Sequence, residues 1–329
     1  MSDASSPNIL VAVPALNEAS HIEACLRSIF DGDHGLRVVV ADGGSTDGTQ
    51  AIVAGLEAEF EGLSLIDNPG RLQSAGVNAV AMSAAADGAD VLVRCDAHAV
   101  YPRGFVRGVA EVLAARGAAS VVVPLDARGE TCFARAAAAI VDTPLGSGGS
   151  AHRGGSASGW VDHGHHAGFA LEWFKKIGGY DAALAVNEDA DYDQRLADAG
   201  GKVWLDASLR VDYRMRPGPA GLLRQYWRYG QGRAATTLKN RVRPRLRQVV
   251  PAANVVLLIA SALLGAVHPA FFGWIALYAG LLLAASVWMC LRLKSPCGLA
   301  AGIALGIMHN AWGLGFLSGI LRGWRRPRQ

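Results

Sequence analysis

Short apolar runs alternate with amphipathic stretches through roughly the first third of the chain. Residues 9–13, 37–41, 63–66, 91–95 and 120–123 are brief runs rich in Val, Leu and Ile. Runs of that length and content predict buried strands. Between them, 18–30, 47–60, 72–85 and 104–115 are helical in composition, with Asn17 and Thr46 as N-caps for the first two. Strand alternating with helix predicts an α/β domain on a mostly parallel sheet with right-handed crossovers. Ligands of such sheets bind beyond the carboxyl ends of the strands, so chemistry is sought just after each strand.

From 126 to 160 the pattern loosens, and the Gly/Ser-rich stretch 146–159 reads either as a mobile substrate loop or as a linker. Regular structure resumes with a helix at 171–177, a turn at 178–181, a helix near 188–199 and a strand at 202–205. Beyond residue 248 the pattern changes in kind. Segments 249–267 and 270–291 each approach the roughly 20 apolar residues that cross a bilayer as helix. His268-Pro269 leaves only a tight turn between them, which predicts a hairpin. The third segment, 299–321, is interrupted by His309, Asn310, Trp312 and glycines. A helix lying in the interface is favoured there, with a third crossing as the alternative, because a crossing leaves the arginine-rich tail outside. The expected division is therefore 1–245 for an α/β domain and 246–329 for a membrane region.

Composition sharpens this division. Hydrophobic residues make up 51% of the 329, and the excess lies in the C-terminal segments. The net charge of +3 is modest, with Arg241, Arg243, Arg245 and Arg247 before the first apolar segment and Arg322, Arg325, Arg326 and Arg328 after the last. Basic clusters flanking membrane segments mark the cytoplasmic side and contact anionic headgroups, so no nucleic-acid partner is expected. The expected location is an inner membrane, multi-pass, with the α/β domain in the cytoplasm. Cys25, Cys95, Cys132, Cys290 and Cys297 show no paired spacing, so neither disulfides nor a zinc site is expected. The polar N-terminus carries no signal-peptide pattern.

Three predicted strands end in candidate chemistry. The first runs into Pro14-Ala15-Leu16-Asn17-Glu18, and the second into Asp42-Gly43-Gly44-Ser45-Thr46-Asp47. A strand-end carboxylate followed by glycines lets backbone approach a nucleoside, with Asp42 accepting from a base N–H. The fourth ends Arg94-Cys95-Asp96-Ala97-His98. A carboxylate and an imidazole two residues apart can converge on one ion, and that donor set suits Mn2+ or Mg2+ bridging a diphosphate.

Together these motifs resemble family 2 glycosyltransferases of GT-A fold. Gly43 stands where the family has a second aspartate, and His98 where its Asp-x-Asp metal motif has its last. With His165-His166 and Gln225–Gly232, these departures are similar to the succinoglycan-biosynthesis glucosyltransferase branch. The resemblance implies that Pro14, Asn17, Glu18 and Asp42 line the nucleoside pocket. It implies Asp96 on the diphosphate and metal, with His98 as the other metal ligand. Arg71 is either a donor contact or a surface arginine. Asp189 becomes the general base of an inverting displacement and Glu188 an acceptor-positioning residue, where the local reading is simply a negative first helical turn. Gln225, Arg228 and Tyr229 match a Gln-x-x-Arg-Trp motif that contacts the donor, or form part of an amphipathic helix at the membrane surface. Trp160, His165 and His166 are implied at the acceptor, with structural hydrogen bonding as the other reading. The implied donor is a UDP-sugar, and the implied acceptor a lipid-linked saccharide. Direct transfer to polyprenyl phosphate and a non-catalytic assembly role are the alternatives.

Overall fold

A computed structural model describes residues 7–150, 153–155 and 157–323. Arg325, Arg326 and Arg328, the first six residues and part of the Gly/Ser-rich stretch lie outside the described residues. The chain forms two compact units. The first comprises Met1–Leu125 and Gly155–Asp212, and the second Asp126–Gly154 and Tyr213–Gln329.

The first unit opens with β1 (Ile9–Ala15), α1 (Ile22–Phe30), β2 (Arg37–Asp42), α2 (Thr49–Glu57), β3 (Leu63–Asp67), α3 (Gln73–Ala81), β4 (Val91–Arg94), α4 (Phe105–Arg116) and β5 (Ser120–Val123). After β6 (Leu125–Arg128), the second unit holds α5 (Cys132–Val141) and α6 (Pro144–Ser147). The first resumes with β7 (Gly159–Val161), β8 (His165–Ala170), α7 (Leu171–Lys176), α8 (Glu188–Asp198) and β9 (Val203–Leu205). β10 (Val211–Arg214) precedes α9 (Pro219–Lys239), α10 (Leu246–Gly265), α11 (Gly273–Leu293) and α12 (Ala300–Arg322).

An eight-stranded sheet runs in the order β3-β2-β1-β4-β8-β5-β9-β7. β1, β2, β3 and β4 are mutually parallel, so their carboxyl ends share one edge. In β1, Leu10 through Val13 are fully buried, the continuous apolar pattern expected of a strand covered on both faces. β8 enters antiparallel between β4 and β5, in the stretch just before the predicted resumption of regular structure. Beneath it Phe169, Phe174, Tyr180 and Tyr192 form one aromatic cluster, with ring centroids 4.9 to 5.9 Å apart. Burial of each such ring contributes on the order of 2 kcal/mol.

α1 starts at Ile22 instead of residue 18, because its expected first turn is drawn elsewhere. The backbone N–H groups of Asn17, Glu18 and Ala19 donate to Ser45 Oγ, Thr49 Oγ1 and Asp47 Oδ2, at 2.8, 2.9 and 2.9 Å. The helix N-cap positions fall to His21 and Gly48, so Asn17 and Thr46 are not caps.

In the second unit, three helices are long and apolar enough to cross a membrane: Leu246–Gly265, Pro269–Leu293 and Pro296–Arg322. The first half of α12 packs on α11, where a Cβ on Gly302 would fall 2.3 Å from the Leu282 carbonyl oxygen. Its second half packs on α9. A Cβ on Gly230 would lie 2.1 Å from the Trp312 carbonyl oxygen, and one on Gly315 2.3 Å from that of Trp227. Glycine at these points lets the two backbones touch. By packing, α5, α6 and α9 therefore group with the C-terminal helices, and the compact units do not divide at residue 245.

Cys132, at the start of α5, and Cys297, just before α12, form a disulfide, which corrects the expectation of none. Their separation of 165 residues leaves no spacing signal in the sequence, since only the fold brings the two helix starts together.

Candidate active site

The strand edge gathers the expected motifs. Asp42 ends β2, and its carboxylate is consumed locally. Oδ1 accepts from the N–H groups of Gly44 and Ser45, each at 2.9 Å, and from Gln50 Nε2, while Oδ2 accepts from Ser45 Oγ. Burial would raise its pKa, but these donors outweigh it and keep the carboxylate ionised. Asn17 Oδ1 accepts from the Thr46 N–H at 2.9 Å, so the loops after β1 and β2 are stitched into one surface. Pro14 sits opposite Ala41 in the β1–β2 register, just before that surface.

Gly43 explains one departure from the family pattern. A Cβ there would sit 3.3 Å from Arg71 Cα and 3.4 Å from the Ala15 carbonyl oxygen, so glycine admits the turn after β3 close to the β1 edge. Asn17, Arg71 and Asn187 all adopt left-handed backbone, with φ of 56°, 58° and 61°. Such conformations cost non-glycine residues energy and gather at functional sites.

Asp96 follows β4. Its Oδ1 accepts from Gln73 Nε2 and from Arg94 Nη2, the latter at 3.4 Å, and its Oδ2 faces His165 Nε2 at 3.7 Å. Burial would raise the Asp96 pKa, but the Arg94 charge, then His165 and His98, hold it low. His98 turns its Nδ1 to Glu18 Oε1 at 3.3 Å, with its ring 60% exposed. The residue nearest the free side of Asp96 is therefore His165, which was expected at the acceptor.

Among the described residues no group of three or more His, Cys, Asp or Glu is placed to hold a metal unaided. One carboxylate oxygen facing the His165 imidazole nevertheless fits Mg2+ or Mn2+ of the kind that takes most of its ligands from substrate phosphates and water.

Glu188 and Asp189 open α8, immediately after left-handed Asn187. Glu188 is buried, and burial followed by the Asp189 charge pushes its pKa up, against the pull of Arg94 Nη1 at 3.8 Å. Asp189 Oδ1 accepts from the Ala190 N–H at 2.7 Å. The structure thus brings Asp96 and Glu188 to one guanidinium.

The expected acceptor residues separate. Trp160 stands half exposed on edge strand β7, three strands beyond β8. His166, next to His165, points into the core at 1% exposure. Its Nδ1 meets the Tyr180 hydroxyl and its Nε2 meets Asp193 Oδ1, both at 2.8 Å. A ring with both nitrogens engaged inside the core has no surface to offer an acceptor, so that expectation is corrected for His166. In the second unit, Gln225 Nε2 donates to the hydroxyls of Tyr213 and Tyr229 at 2.6 and 3.1 Å, and Arg228 lies on the same helix, α9.

Arg94 and Tyr180 were missed by the sequence reading. Arg94 did leave a signal, as a lone charge in an otherwise apolar strand run, which burial permits only when the charge is paired.

Comparison with known proteins agrees with this fold. The model of the family described as glycosyl transferase family 2 matches residues 10–178. The succinoglycan biosynthesis protein ExoA of Rhizobium meliloti (strain 1021) is 41% identical over 323 residues, covering 98% of this chain and 97% of that protein. The dolichyl N-acetyl-alpha-D-glucosaminyl phosphate 3-beta-D-2,3-diacetamido-2,3-dideoxy-beta-D-glucuronosyltransferase of Methanococcus voltae is 22% identical over 331 residues, covering 96% and 98%. Among solved structures, the mannosyltransferase PcManGT from Pyrobaculum calidifontis, in complex with GDP-Man and Mn2+, is similar at a TM-score of 0.56 and 20% identity. It covers 94% of this chain and 88% of that one, a likeness that speaks for the fold alone. On the match to residues 10–178 and the near-full-length relative, this chain belongs to glycosyl transferase family 2 and is an enzyme of GT-A fold.

Proposed function

We propose that the chain is an inverting, metal-dependent hexosyltransferase of exopolysaccharide biosynthesis, moving glucose from UDP-glucose onto a polyprenyl-diphosphate-linked saccharide. The observation that carries this reading is the meeting of Asp96 and Glu188 on Arg94, which joins a diphosphate-side carboxylate to an acceptor-side one. The relatives point the same way: one is by name a succinoglycan biosynthesis protein, and the other by name transfers to a dolichyl phosphate-linked sugar.

In this reading Pro14, Asn17, Glu18 and Asp42 form the nucleoside side of the site. Asp96, with His98 and now His165, meets the diphosphate and a bound Mn2+ or Mg2+. Such an ion, when bound, neutralises charge developing on the leaving diphosphate. Asp189 takes the acceptor hydroxyl proton as that oxygen attacks the anomeric carbon from the face opposite the diphosphate. Arg71, Gln225, Arg228 and Tyr229 supply further donor contacts, and Trp160 an aromatic face for the acceptor.

The α10–α11 hairpin is the membrane anchor, with the catalytic domain on the cytoplasmic side of the inner membrane. We assign α12 to the interface. Its C-terminal half packs on α9, which carries Arg224, Arg228, Arg233 and Lys239, and charges of that density do not sit among acyl chains.

The test is a donor screen on membranes containing the protein. Radiolabelled UDP-glucose is expected to label the lipid extract only when a lipid-linked saccharide is added. Labelling of bare undecaprenyl phosphate would favour the polyprenyl-phosphate reading. No lipid label from any nucleotide sugar would refute transfer to lipid.

A further inference from the structure

Arg94 is a charged side chain with 5% exposure, and its salt contacts are long: 3.4 Å to Asp96 Oδ1 and 3.8 Å to Glu188 Oε1. Its shortest described polar contact is the Tyr180 hydroxyl, at 3.2 Å from Nη1. A buried guanidinium with slack carboxylate partners can swing between them unless something else fixes its plane. Behind Tyr180 lies a chain of buried hydrogen bonds. The Tyr180 hydroxyl meets His166 Nδ1 at 2.8 Å, His166 Nε2 meets Asp193 Oδ1 at 2.8 Å, and Asp193 Oδ2 meets His163 Nδ1 at 2.7 Å.

Donor and acceptor chemistry gives this chain a direction. Arg94 only donates, so the Tyr180 oxygen accepts from it, and the phenolic hydrogen is turned to His166 Nδ1. An ionised Asp193 only accepts, so His166 carries its hydrogen on Nε2. Burial drives the Tyr180 pKa well up, which keeps the phenolic hydrogen in place. Burial would also raise Asp193, but the hydrogen bonds that His163 and His166 give its two oxygens hold it ionised. Every proton between Arg94 and Asp193 is then assigned, and all of them point from Arg94 towards Asp193.

His166 and Asp193 are 1% and 2% exposed, so neither meets a substrate. The surrounding cluster is aromatic, and packing alone would be served by phenylalanine at these points. We propose that Tyr180 and His166 are positioning residues that act through Arg94, holding it so that the diphosphate-side Asp96 and the acceptor-side Glu188 keep one spacing. This inference rests on the donor and acceptor sides assigned under the proposed function.

The test uses the full-length protein in detergent, with UDP plus Mn2+ as the binding probe and labelled UDP-glucose for transfer. Measurements are made well below each variant's unfolding midpoint. Tyr180→Phe keeps the ring and deletes one hydroxyl. It is expected to weaken UDP binding in saturating Mn2+ by about tenfold and to lower kcat as well, the scale of one lost oriented hydrogen bond to a charge. His166→Gln can still accept from Tyr180 and donate to Asp193, whereas His166→Leu can do neither, so Gln is expected to retain most of the activity that Leu loses. Tyr180→Phe with wild-type binding and kcat would overturn the inference, as would equal losses in the Gln and Leu variants. If the wild-type enzyme itself bound no UDP with Mn2+, the functional reading beneath it would fall instead.

Discussion

Replacing Asp189 by Asn separates chemistry from binding more sharply than any other change in this enzyme. The side chain keeps its size, and an amide oxygen still accepts from the Ala190 N–H that Asp189 Oδ1 now meets at 2.7 Å. What disappears is the ability to take a proton. General-base catalysis is worth about 10²- to 10⁴-fold, and at about 1.4 kcal/mol per tenfold the loss is on the order of 3–5 kcal/mol of transition-state stabilisation. That loss should fall on kcat, with UDP binding unchanged, because the proposed function puts Asp189 on the acceptor and not on the donor. Stability moves the other way. The Asp189 charge is the second cause, after burial, of the raised Glu188 pKa. A carboxyl raised on folding contributes stability that is complete below its unfolded pKa and lost as pH rises through the folded one. That contribution falls away as Glu188 ionises, and removing the Asp189 charge removes part of the repulsion that opposes that ionisation. Asp189→Asn should therefore unfold no earlier than wild type at pH 7. Single-turnover transfer, UDP calorimetry and a melt on the same preparation check all three statements. Retention of more than about a tenth of the wild-type rate would remove Asp189 as the base, since that is below the range for a lost base. Parallel loss of UDP binding would move it to the donor.

Chelation with EDTA should abolish transfer, with Mn2+ or Mg2+ restoring it, and Asp96→Asn should weaken ion-dependent UDP binding at least tenfold; full activity in chelator would sink the metal assignment. In the second unit, Asn310 Nδ2 donates to the Gly306 carbonyl oxygen at 2.8 Å and to the Tyr278 hydroxyl at 3.4 Å, and its Oδ1 accepts from Asn254 Nδ2 at 3.4 Å. Asn310→Leu breaks this link among α10, α11 and α12 and should cost about 1–2 kcal/mol in an SDS-unfolding titration; an unchanged midpoint refutes it. Cys132 and Cys297 test the topology. The structure holds them bonding distance apart and linked, so they should join fully on oxidation, whereas a reducing compartment keeps such a pair as thiols that alkylation traps in growing cells. A pair already linked in untreated cells would contradict cytoplasmic placement.

What the sequence made legible was local. The parallel strands β1 to β5 announce themselves as short apolar runs, and Asp42 and Asp96 stand where such strands deliver ligands. The helices long enough to cross a membrane follow from apolar length alone. Strand β8 was not legible: two adjacent histidines read as a polar surface, and one becomes core only because Tyr180 and Asp193, distant in sequence, satisfy its nitrogens. Helix α5 was hidden within a loosely patterned stretch. The late end of the loop after β1 depends on donors spent on Ser45, Asp47 and Thr49, which no helical period records. Arg94 was visible as an oddity, but its role required the positions of Glu188 and Tyr180.

The left-handed Arg71 has a consequence for how this enzyme responds to selection. An arginine in that conformation carries a backbone cost that glycine does not, and the gain on relieving it is about 1 kcal/mol. A screen for heat tolerance would therefore reward Arg71→Gly early, at the turn that lies against Gly43. The survivors would be sturdier proteins with a looser turn against Gly43. In this fold a cheap route to robustness runs through a turn proposed to meet the donor, and a thermostabilised variant should be assayed for turnover before its melting point is celebrated.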